Sequence, residues 1–227
     1  MHSTQIRQWT ENGVSYRIGA DYVSIRMERE WSVLSNAPVN GGWRQTNHLV
    51  NRHVPHGYCE ADPIRETKKW MADHGFDADR TVALLTAAWT DRAAVVKRSE
   101  TGVTVTAVVT AGVSNAARAG KPGPIYRDVP SPGTINILLL VDGRLTEAAM
   151  VNTVITATEA KSAALQVLGV KDRDGDQATG TTTDVVAVAA SQRTVEGVVH
   201  HYAGLATPLG QAVGQAVYRA LTEALSG

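Results

Sequence analysis

Apolar and polar residues follow two different periods along this chain, and these periods separate strands from helices. Residues 22–27 alternate in the manner of a half-exposed strand. Residues 134–141 are almost entirely apolar, which is typical of a central strand covered on both faces. Shorter runs rich in Val, Ile, Tyr, Trp and Thr predict the other strands. These lie at residues 14–18, 31–35, 81–88, 93–98, 103–109 and 183–190.

Three segments have helical spacing instead. The first begins at Asp-Pro, a good N-cap followed by a first-turn residue, and covers residues 62–74. Residues 145–168 give the strongest helix prediction, with a long Ala, Val, Ile and Leu stripe, Thr146 as a cap or interior residue, and Gly169 as the stop. Small and apolar residues at helical spacing predict a closing helix over residues 205–225.

These elements predict an α+β fold in which a mainly antiparallel or mixed β-sheet is packed by two to three helices. The chain is expected to form a single domain over residues 1–227, with residues 1–30 as a peripheral β extension. Pro and paired glycines make residues 36–43 a loop, and residues 47–60 show no clear period. Four prolines mark residues 121–132 as a surface excursion.

Charge and composition narrow the function classes. Lys plus Arg and Asp plus Glu are 22 each, so the basic footprint of a nucleic-acid or anionic-membrane protein is missing. The longest clean apolar run, residues 137–141, is too short to span a bilayer, and the first residues lack a signal-peptide pattern. Cys59 is the single cysteine, which suits a reducing compartment. We therefore expect a cytoplasmic protein.

Four short polar phrases containing small residues carry the candidate chemistry. They are TAGVSNAARAG (residues 110–120), PGTIN (132–136), TATEAK (156–161) and ATGTTTD (178–184). A plain core needs no such phrases, and small residues let backbone approach a ligand closely. Because each phrase stands at the end of a strand or inside a helix, the sequence predicts a site assembled from several loops.

Two other groups resemble metal sites. His48, His53, His56 and Cys59 include ligands at a spacing that zinc sites use, but no second paired cluster completes a tetrahedral set. Residues 172–176 (DRDGD) resemble a calcium loop, yet the glycine comes too early and a threonine stands where the closing Glu is required. We expect no metal at either group.

Read in order, short phrases across the chain resemble the adenosylcobinamide amidohydrolase family, the CbiZ-type enzymes of corrinoid salvage. The resemblance covers nearly the whole chain beyond Trp31, and eight phrases in one order make it specific. The phrases are SNAPVNGG, NRHVPHGY followed by DP, LLTAA, TAGVSNAARAG, PGTINILLLVDGRLTEAAM, TATEAKSAAL, ATGTTTD and YAGLATPLG.

The resemblance implies hydrolysis of the amide that joins aminopropanol to a propionyl side chain of the corrin ring. The expected partner is a small-molecule cobalt corrinoid, which is the substrate, and the sequence indicates no required cofactor. The sequence is also compatible with a homo-oligomer. Two alternatives stay open: a non-catalytic corrinoid-binding or regulatory protein of the same fold, and an enzyme that acts on another amide.

The residue chemistry suits a corrinoid, which has apolar faces and a fringe of neutral amides. Its site should offer uncharged hydrogen-bonding groups and close backbone approach. Trp43 would either cover an apolar corrin or adenine face or be a buried core residue. The substrate-binding candidates are Asn36, Asn40, Gly41, Gly42, Trp43, Ser114, Asn136 and Thr183.

Amide hydrolysis also needs a nucleophile, a base and stabilisation of the developing oxyanion. We hypothesise that Asp184 or Glu159 activates water or a threonine hydroxyl, with Thr181 as the bolder choice of nucleophile. Asn115 and nearby backbone N–H groups would hold the oxyanion. Lys161 would orient the reacting groups or neutralise their negative charge. Glu159 and Lys161 project about 200° apart on a helix, so the two cannot simply pair on one face.

Overall fold

The computed structural model describes residues 6–122 and 133–226, so most of the expected excursion at residues 121–132 lies outside the described residues. Thirteen strands and three α-helices follow one another in the described ranges. The strands are β1 (Arg7–Glu11), β2 (Val14–Ile18), β3 (Tyr22–Ser35), β4 (Gly42–His53), β5 (Val82–Thr86), β6 (Ala94–Glu100), β7 (Val103–Ala111), β8 (Ala116–Ala117), β9 (Ile135–Asp142), β10 (Arg144–Leu145), β11 (Gly180–Thr181), β12 (Val185–Ala190) and β13 (Val199–His200). The helices are α1 (Pro63–Asp73), α2 (Glu147–Val167) and α3 (Pro208–Ser226), with a short 3₁₀ turn at Thr90–Arg92.

Nine strands form one mixed, curled sheet, which confirms the α+β prediction. Its main path runs β1-β2-β3-β12-β9-β7-β6, and β4 joins β3 to β5. Strand β3 is the branch point, because its first half pairs with β2, its second half pairs with β12, and both halves pair with β4. The pairs β9–β12 and β4–β5 are parallel, and the remaining pairs of this sheet are antiparallel.

Two apolar cores lie on opposite faces of the central strands. Along β9, Ile137 and Leu139 pack in the core shared with α2 and α3, whereas Leu138 and Leu140 pack inside the curl of the sheet. Both faces of this strand are therefore buried, as its continuous apolar run predicts. The molecule is layered as helices, central strands and the curled outer strands.

The local pattern was misleading in the first third of the chain. The prediction of two separate strands at residues 22–27 and 31–35 is wrong, because β3 is one strand of 14 residues with a pairing irregularity between Arg26 and Trp31. The exposed Glu28, Arg29 and Glu30 interrupt the apolar pattern without breaking the strand. Strands β1 and β4 were not predicted at all, since both are rich in polar residues.

Helix ends follow the expected capping chemistry. The Thr146 side chain accepts a hydrogen bond from Ala149 N at 3.2 Å and so caps α2, and Asp62 caps α1 through Arg65 N at 2.9 Å. Gly169 follows α2 with φ near 64°, a conformation that glycine adopts without a steric penalty. No helix within the described ranges is long and apolar enough to cross a membrane.

Candidate active site

Three predicted phrases meet at one end of the central strands. The register aligns Thr110 on β7 with Asn136 on β9, and Asn136 in turn with Val185 on β12. Outside this end, β8 pairs with β11 in a two-stranded ribbon, in which Thr181 lies opposite Ala116. The phrases at residues 110–120, 132–136 and 178–184 therefore meet in one place. Packing of the core alone does not require three loops to converge in this way.

Asp184 is the centre of this group. Its Oδ1 accepts hydrogen bonds from the Thr181 hydroxyl and from Ile135 N at 3.2 Å. Its Oδ2 accepts from Thr181 N at 3.0 Å and from the ammonium of Lys161. A carboxylate has about four lone-pair positions, so all of them are occupied. The immediate neighbours of the Asp184 carboxylate thus include a hydroxyl and an ammonium.

Lys161 reaches Asp184 from the fourth phrase, on α2. The side chain of Lys161 is 8% exposed and that of Asp184 is 13% exposed, so the ion pair is largely removed from water. Small side chains on the same helix side, including Ala157 and Ala164, give the lysine room to lie inward. Glu159, the other charged candidate on this helix, is exposed and forms no ion pair within the described ranges.

Gly180 leaves the space in which the ion pair lies. A Cβ atom at this position would come within 2.5 Å of Asp184 Oδ2 and 2.7 Å of Lys161 Nζ. We expect Gly180→Ala to lower the free energy of unfolding by about 1–3 kcal/mol, as overpacking does elsewhere. Urea unfolding would measure this change.

Gly57→Ala is the matched control, because a Cβ at Gly57 meets nothing within 4 Å. Its free energy of unfolding should stay within about 0.5 kcal/mol of the unmodified chain. Equal effects of the two substitutions would contradict the idea that the absence of a side chain at Gly180 permits the close approach of the ion pair.

Asn115 braces the loop that carries the threonines. Its Nδ2 donates to the Thr182 hydroxyl at 2.8 Å and lies 3.4 Å from that of Thr183, which donates to Gly133 O at 2.9 Å. Its Oδ1 is buried and has no hydrogen-bond partner among the described residues. A Cβ at Gly133 would lie 2.5 Å from both Asn115 Oδ1 and Ser114 Oγ, so this glycine permits the close packing.

A buried amide network supports the site from below. Asn136 Nδ2 donates to Asn51 Oδ1 and to Leu85 O, both at 2.8 Å. Asn51 donates in turn to the Thr110 hydroxyl at 2.9 Å, and Thr134 donates to Asn136 Oδ1 at 3.2 Å. These bonds join β4 and β5 to β7 and β9 across the curl. Asn136, a candidate for substrate contact, is fully buried and fixes the strand ends instead.

The remaining candidates divide into two places. Asn36 lies at the site, where its amide donates to Asp184 O at 2.9 Å and its oxygen accepts from Val186 N at 2.8 Å. Asn40 donates instead to Ala78 O and Thr81 O, which braces the turn before β4 against the connection that leads into β5. Gly41, Gly42 and the 42% exposed Trp43 continue that turn into β4.

The two suspected metal groups have other contacts. His48 is bonded to Ser24 Oγ at 2.8 Å, and burial, aided by the charge of Arg26, lowers its pKa to about 4. Within the described ranges no group of three His, Cys, Asp or Glu side chains is arranged to hold a metal ion.

The acidic loop at residues 172–176 holds a lysine. Lys121 Nζ lies 2.8 Å from Asp174 Oδ2 and 2.5 Å from Asp176 Oδ2. Hydrogen bonds from Lys121 to these two carboxylates raise the pKa of its ammonium. The cation among the carboxylates of this calcium-like loop is thus the Lys121 ammonium, from the segment that follows β8.

A cavity of about 290 Å³ adjoins the site at Gly112, Ser114 and Gly133. Its other walls come from Ala87 and Ala88 just after β5, from Trp89 and Arg92, and from the last turn of α3. Sequence reasoning missed Trp89, although it directly follows the LLTAA phrase that carries part of the resemblance.

The family model described as adenosylcobinamide amidohydrolase matches residues 8–227. The protein of that name from Methanosarcina mazei is 30% identical over 193 residues, covering 82% of this chain and 86% of that protein. The one from Halobacterium salinarum is 29% identical over 192 residues, covering 82% and 77%. The PH0078 protein from Pyrococcus horikoshii OT3 shares the fold, with a TM-score of 0.52 at 11% identity, and covers 97% of this chain and 83% of that one. The chain belongs to the adenosylcobinamide amidohydrolase family.

Proposed function

We propose that this chain hydrolyses the amide bond that joins aminopropanol to a propionyl side chain of adenosylcobinamide. The products are adenosylcobyric acid and aminopropanol. The family match over residues 8–227 supports the reaction class. The observation that carries the proposal is the line of hydroxyl, carboxylate and ammonium formed by Thr181, Asp184 and Lys161. A nucleophile bonded to a base that a third group orients is the arrangement that covalent catalysis requires.

Thr181 is the proposed nucleophile. Its hydroxyl already donates to Asp184 Oδ1, and the four occupied positions on that carboxylate leave no place for a water molecule to be activated there. Its side chain is also only partly buried, whereas the ammonium of Lys161 is almost enclosed. A substrate carbonyl can therefore approach the hydroxyl without displacing the ion pair.

The proposed reaction has two stages. Thr181 Oγ bonds to the amide carbon while its proton passes to Asp184 Oδ1. When the carbon–nitrogen bond breaks, the aminopropanol nitrogen takes that proton and leaves as a free amine. Water then hydrolyses the ester on Thr181, which restores the hydroxyl and releases the cobyric acid.

Asn115 and the backbone N–H groups of its turn are the candidates for the oxyanion site. The Asn115 side chain lies beside the hydroxyls of Thr182 and Thr183, next to Thr181. Each of these hydroxyls can donate as well as accept a hydrogen bond. The Asn115 amide can therefore rotate so that its N–H donates to a substrate oxygen, while both hydroxyls stay close to the amide. An oxyanion donor of this kind contributes about 10²–10³ in rate in other amide-cleaving enzymes.

The direct test is incubation of the purified chain with adenosylcobinamide. Mass spectrometry should show adenosylcobyric acid and an equal amount of aminopropanol. Binding of adenosylcobinamide without product would favour the corrinoid-binding alternative. Faster release of amine from a competing amide than from adenosylcobinamide would favour the alternative that the chain acts on another substrate.

A further inference from the structure

Trp89 is an exposed aromatic side chain that is held in one orientation. It is 54% exposed, and its indole stacks on the imidazole of His53 with ring centroids 5.1 Å apart and planes 15° apart. His53 Nδ1 lies 3.1 Å from Ala88 O, so a hydrogen bond fixes the imidazole. One face of the indole is therefore covered, and the exposed part remains available to a ligand.

The backbone around Trp89 is anchored as well. Trp89 precedes the 3₁₀ turn, in which Arg92 N donates to Trp89 O at 3.2 Å. The buried Thr90 hydroxyl lies 2.7 Å from Gly19 O and 2.8 Å from Ala20 O, which ties the turn to the loop between β2 and β3. A large apolar side chain that is exposed on a backbone fixed by hydrogen bonds is typical of a recognition surface rather than of a mobile loop.

Trp89 faces the cavity beside the proposed catalytic loop. That cavity has a volume of about 290 Å³, and small residues such as Ala87, Gly112 and Gly133 line it. Sites for drug-sized ligands typically reach about 300–1,000 Å³, so this one suits a single flat ring system rather than a whole corrin. Arg92 and His56 on its walls add nitrogen groups that can bond to ring nitrogens.

We propose that this cavity is a purine subsite, in which Trp89 stacks on the adenine of the adenosyl group. The inference rests on the proposed function, because the adenine belongs to the proposed substrate. In adenosylcobinamide the adenine is a ring system separate from the corrin. An indole face supports any base by stacking, and truncation of such a ring to alanine typically removes about 1–3 kcal/mol of binding, which raises Kd by about fivefold to more than a hundredfold. The cavity thereby distinguishes adenosylated corrinoids from those without the adenosyl group.

Free adenosine tests the subsite without any need for turnover. We expect isothermal titration calorimetry to show adenosine binding to the unmodified chain and at least about a fivefold rise in Kd for Trp89→Ala. Trp89→Phe, which keeps a stacking face, should retain most of the affinity. Tyr202→Ala is the control, because it removes a 62% exposed ring that lines neither this cavity nor the turn at Ser114. Trp43→Ala tests the other exposed tryptophan.

Three outcomes would overturn the inference. They are no adenosine binding to the unmodified chain at millimolar concentration, unchanged binding in Trp89→Ala, or a loss in Trp43→Ala in place of Trp89→Ala. Adenosine binding that depends on Trp89 supports the subsite even where adenosylcobinamide is not hydrolysed, so failure of the proposed reaction is told apart from failure of the subsite. With turnover, Trp89→Ala should raise KM for adenosylcobinamide and leave KM for a cobinamide without the adenosyl group unchanged.

Discussion

Lys161→Met is expected to lower the free energy of unfolding by about 3–5 kcal/mol and to abolish amide hydrolysis. The substitution keeps an unbranched side chain one atom shorter than that of lysine but removes its charge, which leaves the carboxylate of Asp184 partly buried without its cation. The pair is 8% and 13% exposed, so water compensates little of the loss. Urea unfolding and the adenosylcobinamide assay, run on the same preparation, measure both effects.

The double variant Lys161→Met/Asp184→Asn separates the ion pair from general damage to the site. Removing both charges leaves neither one uncompensated, so the double variant should lose less stability than the two single variants together. Lys68→Met is the control, because Lys68 pairs with Asp79 at 2.8 Å on the surface, where the two side chains are 38% and 87% exposed. Its unfolding midpoint should stay nearly unchanged. Strict additivity of the two single variants would contradict a coupled pair.

Long apolar segments could be placed from the sequence, whereas a strand held by distant pairing could not. Strand β9 and helix α2 were predicted within two residues of their observed ends, because burial on several sides imposes a continuous pattern. Strand β4 was missed because its sequence, GWRQTNHLVNRH, carries few apolar residues. Its position depends on pairing with β3 and β5, and local periodicity contains no information on such partners.

At the site, the phrases were predictable but their contacts were not. Helical geometry shows that Glu159 and Lys161 point in different directions, yet it does not tell which one faces inward. Packing of α2 against the sheet decides this, and Lys161 is the residue that meets Asp184, 23 positions further along the chain. Thr181 was within reach of Asp184 from local spacing alone, since the two are three positions apart in one tight turn.

The roles of several asparagines also depend on tertiary contacts. Asn36, Asn40 and Asn136 were natural candidates for the neutral fringe of a corrinoid. In the fold their amides bond to backbone carbonyls, to a backbone N–H and, for Asn136, to the amide oxygen of Asn51. Sequence cannot separate an asparagine that fixes a loop from one that meets a ligand, because both need the same donor and acceptor. Asparagine side chains with hydrogen-bond partners therefore support the site, and the proposed reactive group of Thr181, Asp184 and Lys161 lies among them.

Thr181→Ala should reduce the rate of amide hydrolysis by at least about a thousandfold, since removal of the nucleophile in a covalent hydrolase has effects of this size or larger. Thr181→Ser keeps a hydroxyl at the same atom and should retain most of the rate. Both variants should still bind adenosylcobinamide, because Asp184 keeps Lys161 and two backbone donors. Product formation and equilibrium binding are the two measurements.

Thr158→Ala provides the matched control for loss of a threonine hydroxyl. Thr158 is exposed on α2, and its hydroxyl donates to Val154 O at 2.8 Å within the same helix. Its removal should leave turnover unchanged. A further distinction comes from trapping: an ester on Thr181 should accumulate when the second stage is slowed, and mass spectrometry would find the chain heavier by the corrinoid acyl group. Near-normal turnover in Thr181→Ala would eliminate the covalent route and favour direct attack by water, which could then bond to Asp184 Oδ1 at the position that the Thr181 hydroxyl no longer occupies.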